Sequence, residues 1–146
     1  MTKGQKITFR ILFILYIAGV LFMCFGKFDN APSVKINLLG IPTDKLVHFA
    51  MFFPFPILAF FAFDQFTENV KATLLFIGIT LLVGMLMAIA TEWGQAHLTN
   101  YRSGDPLDFL ADTIGLLLSS ALVAFVDIRK QRKATSSREV QSPTEP

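Results

Sequence analysis

Four apolar runs divide the chain, at about 8–26, 45–63, 72–92 and 107–126. Each comes near the ~20 residues that a helix needs to cross ~30 Å of hydrocarbon. The apolar centres of the first two, 11–25 and 46–63, are slightly short, so flanking residues complete those spans. Inside a bilayer only helices and closed barrels satisfy their own backbone. The runs lack the alternation of barrel strands, which leaves helices. The pattern predicts an all-α, polytopic membrane protein. Residues 1–128 form a four-transmembrane-helix bundle, and 129–146 form a basic cytoplasmic tail without regular structure.

The polar residues that interrupt these runs are few. They are Asp44, Lys45, His48, Glu92, Gln95, Arg102, Asp105, Asp108 and Asp112. They fall in three sequence blocks, each beside the end of an apolar run. If the runs cross a membrane in turn, the three ends lie on one side. Ionisable groups are costly near hydrocarbon, so their gathering there points to a site.

Composition agrees with a lipid-facing surface. The 146 residues are 53% hydrophobic and 16% charged, with 16 Phe. A soluble domain carries roughly a quarter charged residues. Cys24 is the lone cysteine, so no internal disulfide and no cysteine-based metal motif exist. The first run has the basic start of a secretory signal, but bulky Phe25, Lys27 and Phe28 follow Cys24, so it is expected to remain as a span.

Lys and Arg set the orientation. With the N-terminus inside, the inner segments hold three, one and five basic residues, against Lys27, Lys35, Lys45 and Arg102 outside. Both termini are therefore expected in the cytoplasm, with the polar blocks at the outer face. The basic ends read as flanks of apolar spans rather than nucleic-acid arms.

Each block has a bland and a functional reading. Thr43 or Asp44 can cap a helix after Pro42, and Asp44 and His48 share a helical face four residues apart. Glu92 and Gln95 share a face beside Trp93, a ring type found at the headgroup level. Asp105 can cap a helix that begins at Pro106. Asp108 and Asp112 share a face with Ala111, Gly115 and Ser119, small residues that let another helix approach. Pro54 and Pro56 should kink the second span. His97 and Tyr101 read as loop surface, and Arg10 as snorkelling to headgroups.

Five acids of this set face Lys45 and Arg102 as countercharges. Either some carboxyls keep their protons, or a cation binds, or water reaches the cluster. Arg102 is the natural bidentate partner for the acids. One histidine plus carboxylates is a thin metal set, so neither a metal nor a cofactor is expected, although a divalent cation is one way to balance the acids.

The order Asp44-Lys45-x-x-His48-Phe49, Glu92-x-x-Gln95, Arg102 with Asp105 and Asp108, and Gly115 resembles the VanZ-like family of small bacterial membrane proteins. The likeness covers 44–122. It departs at Asp112, where the family tends to carry Asn. The resemblance implies a four-span protein of the cell membrane and, through one member, a link to teicoplanin susceptibility. It supplies no reaction.

Three functions follow from the residues. In the first, the cluster binds a lipid headgroup, a lipid-linked glycan or a glycopeptide-type antibiotic. In the second, an intramembrane hydrolase or transferase uses His48 as base with Glu92 or Asp108 as acid. In the third, the polar set only locks the helices together.

Overall fold

The computed structural model describes residues 1–27, 40, 42–63, 69–100 and 104–141, with backbone alone for 138–141. Among these residues every regular element is a helix: α1 (Lys3–Phe25), α2 (Thr43–Phe52), α3 (Pro54–Ala62), α4 (Val70–Leu98) and α5 (Pro106–Gln141). α1, the α2–α3 pair, α4 and α5 are each long and apolar enough to cross a membrane. The four-helix architecture is thus the one that the apolar runs predict.

Local chemistry sets the boundaries. Thr2 and Gln5 form a capping box at the start of α1. The Asn69 side chain accepts from the Lys71 N–H at the start of α4. Between α2 and α3, Phe53 keeps helical dihedrals and its N–H reaches the Phe49 carbonyl at 2.9 Å. Pro54 and Pro56 then remove two backbone donors, which breaks the second span where the sequence expects a kink. The Tyr16 hydroxyl of α1 donates to the Met51 carbonyl beside this break.

Several expectations need correction. Pro42, not Thr43 or Asp44, occupies the N-cap of α2, and no side chain caps that helix. α4 runs to Leu98, so His97 lies on a helix and not in a loop. Arg10 is exposed, and its Nε donates to the Ala62 carbonyl at 3.1 Å, at the C-terminal end of α3. α5 continues to Gln141, past the point where regular structure was expected to stop. The segment is rich in Lys, Arg and Gln, all good helix formers. It also stays bonded to α4 through Asp127 and Gln131.

α5 is the hub: α2, α3 and α4 pack on it, while α1 lies against α3 and α4. Gly115 permits the close approach of α5 to α2. A Cβ there would stand 2.8 Å from the Phe49 carbonyl oxygen. The core between the helices contains Val20, Cys24, Phe52, Phe55, Ala88 and Leu116. Large apolar side chains such as Ile14, Phe22, Leu75 and Phe125 face outward. That surface suits lipid and would be unfavourable in water.

Two polar layers bound the apolar core. One is the cluster at the start of α5. The other joins Thr73, Asp127 and Gln131: the Thr73 hydroxyl donates to Asp127 Oδ2 at 2.7 Å, and the Gln131 amide donates to the same oxygen at 2.9 Å. From Asp108 to Asp127, α5 rises about 29 Å, which matches a hydrocarbon core of ~30 Å.

Candidate functional site

The site is built where the start of α2, the C-terminal part of α4 and the start of α5 meet. Asp105 begins it. Its Oδ1 accepts from the Leu107 N–H at 2.9 Å, capping α5 ahead of Pro106 as the sequence suggests. Its own N–H donates to Glu92 Oε2 at 2.9 Å. Gly104 lets this segment lie against α4, because a Cβ there would stand 2.8 Å from the Glu92 carbonyl oxygen. A capping residue and an α4 carboxylate are thereby fixed to each other.

Lys45 binds the acids from the α2 side. Its Nζ donates to Asp108 Oδ1 at 2.6 Å, to Asp44 Oδ2 at 3.0 Å and to Asp105 Oδ2. These three partners account for the three N–H donors of an ammonium. The Lys45 side chain is 12% exposed, whereas Asp44 is 58% exposed at the rim. The Lys45 ammonium holds the Asp105 carboxyl below its usual range, helped by the Leu107 N–H.

Deeper in lies His48, 4% exposed. Its Nδ1 is 3.1 Å from Asp112 Oδ1, a hydrogen bond between buried groups. Its Nε2 is 3.6 Å from Asp108 Oδ2, and Nδ1 is 3.7 Å from Glu92 Oε1. Both of those separations exceed hydrogen-bond length. Glu92 Oε1 and Asp112 Oδ2 are buried with no hydrogen-bond partner among the described residues.

Seven of the nine sequence candidates therefore stand together: Asp44, Lys45, His48, Glu92, Asp105, Asp108 and Asp112. Gln95 does not join them. Its amide donates to the Cys24 carbonyl at 3.0 Å and ties α4 to the end of α1. Arg102, with Tyr101, lies outside the described residues. Asp44 and His48, neighbours by spacing on α2, bond to different partners: Asp44 to the adjacent Lys45, and His48 across to Asp112 of α5.

Sequence reasoning missed two features. Tyr16 sits at the kink beside the site, and a lone tyrosine in an apolar run was its signal. The Thr73–Asp127–Gln131 layer was also missed. Its signal was Asp127 at the edge of the fourth apolar run, with Gln131 four residues on.

Chemically, the arrangement offers an acid-rich polar centre at one end of an apolar bundle, with an imidazole oriented by a buried carboxylate. Fold and site together define a multi-pass helical membrane protein with a charged centre shared by three helices. A family comparison carries this further. The VanZ/LLP1 family model matches residues 13–127, so the chain belongs to that family. No curated protein and no solved structure matches the chain significantly.

Proposed function

We propose that this VanZ-like protein works in the bacterial cytoplasmic membrane, with both termini in the cytoplasm and the charged cluster at the outer face. There the cluster engages the polar end of an envelope amphiphile: a lipid headgroup, a lipid-linked glycan or a glycopeptide of the teicoplanin type. The observation that carries this reading is the depth gradient of the cluster. Asp44 and, less so, Asp105 open to the rim, while Asp108, Asp112, Glu92 and His48 are buried behind them. Rim carboxylates accept from the hydroxyls and amines of such a molecule, and its apolar part lies along the bundle. Lys45 is fully engaged by carboxylates, which argues against a role as a free anion clamp. Burying this many charges opposes stability unless each is compensated, and such sets mark functional sites in membranes.

The His48–Asp112 bond favours a second reading, an intramembrane hydrolase or transferase with His48 as general base. The first reading is tested by binding of a lipid-linked glycan precursor and of teicoplanin to the full chain in nanodiscs. Asp44→Asn and Asp105→Ser are expected to weaken binding by about tenfold while the protein stays folded. Unchanged binding in both variants, or none by the wild type, would refute it. Turnover of the bound lipid would select the second reading.

A further inference from the structure

Asp108 faces two different neighbours with its two oxygens. Oδ1 receives the Lys45 ammonium at 2.6 Å. Oδ2 faces His48 Nε2 at 3.6 Å. The Asp44, Asp105 and Asp108 carboxylates could hold a metal by spacing alone, and the Lys45 ammonium already sits among them. A second group of the same kind consists of His48, Glu92 and Asp108, all buried, with one ligand atom from each lying within 4.8 Å of the other two. Lys45 reaches that group only at Asp108 Oδ1, and Asp108 Oδ2 is the oxygen that faces His48.

We propose that His48, Glu92 and Asp108 form a binding site for one divalent cation of the zinc or manganese type. Three observations converge. First, Asp112 takes the Nδ1 side of the imidazole, which fixes the tautomer and leaves the Nε2 lone pair facing Asp108. A carboxylate that orients a ligating histidine in this way is a recurrent partner of metal sites. Second, the 3.6 Å between Nε2 and Oδ2 is wrong for a hydrogen bond but right for two ligands of one ion. Bonds of ~2.1 Å at ~109° place two ligand atoms about 3.4 Å apart. Third, Glu92 is 9% exposed and its Oε1 has no hydrogen-bond partner among the described residues. That oxygen points at the imidazole, 3.7 Å from Nδ1. One Glu92 carboxylate oxygen lies within 4.8 Å of a ligand atom on each of His48 and Asp108, so the carboxylate must close in to share one ion with them.

The donor set selects the ion class. One imidazole with two carboxylates suits zinc or manganese better than the all-oxygen preference of calcium and magnesium. Three protein ligands leave positions open for an outside oxygen, the arrangement of sites that act on a ligand. The cation also balances acids that Lys45 does not reach. The site belongs to the deep layer and does not depend on which amphiphile meets the rim.

The test uses the purified full chain in detergent, stripped with a chelator and titrated with Mn2+ while the free ion is read by electron paramagnetic resonance. The wild type is expected to take up about one tight equivalent per chain, displaced by Zn2+. Glu92→Gln and Asp108→Asn should each weaken this by about tenfold or more, while His97→Ala, an exposed histidine outside the group, stays within about twofold. A wild type that binds no tight equivalent would overturn the site, the imidazole then carrying the countercharge itself. So would equal binding by the wild type and both ligand variants, the mark of adventitious uptake. The wild-type titration decides even if a variant fails to fold. Amphiphile binding without a metal equivalent would remove the site and spare the proposed function. A tight equivalent without amphiphile binding would do the reverse.

Discussion

At the scale of single residues, the site depends on who neutralises whom. Lys45 is 12% exposed and bonded to three carboxylates. Its removal leaves buried acid without its partner, which costs about 3 kcal/mol or more. Lys45→Met is therefore expected to lower unfolding stability in detergent by that amount, read by chemical or thermal unfolding. Asp112→Asn should stay within about 1 kcal/mol, because the amide oxygen still accepts from His48 Nδ1. The membership of this cluster was largely legible, since ionisable residues in apolar runs stand out. The partners were not. Asp44 and His48 are four apart, yet each bonds to a different group. Pairing depends on how each helix is rotated about its axis, and that is decided by neighbours distant in sequence. Gln95 illustrates it: one turn past Glu92, it faces α1 and bonds to the Cys24 carbonyl.

At the scale of elements, two glycines set how closely the helices carrying the site can approach. A Cβ at Gly115 would press on the Phe49 carbonyl, and a Cβ at Gly104 on the Glu92 carbonyl. Backbone cannot rotate away as a side chain can. Gly115→Ala is expected to cost about 1–3 kcal/mol in the same unfolding measurement. Gly78→Ala, where a Cβ meets nothing within 4 Å, should be neutral or stabilising by about 0.5–1 kcal/mol. The small-residue face of α5 and the proline break of the second span could be read from the sequence because each follows from local chemistry. The continuation of α5 to Gln141 could not. It is anchored by contacts of Asp127 and Gln131 with Thr73, a residue of another helix more than fifty positions away that the segment's own pattern does not specify.

At the scale of the molecule, connectivity brings three helix ends to one membrane face. A second polar layer closes the other face about 29 Å away along α5. That spacing agrees with a bilayer but does not say which face is outside; the basic flanks favour the N-terminus inside. Ser103→Cys should accordingly react with an impermeant maleimide in intact cells, while buried Cys24 stays silent. Labelling only after permeabilisation would invert the orientation. The central claim is that the charged cluster is a site and not merely glue between helices. Glu92→Gln tests it most directly, because the amide keeps an acceptor for the Asp105 N–H and removes only the charge. The decisive measurement is envelope-antibiotic susceptibility per amount of folded protein in the membrane. The account predicts folded protein within about twofold of wild type and a lost phenotype. A retained phenotype, or a phenotype that falls only in step with folded protein, would contradict it.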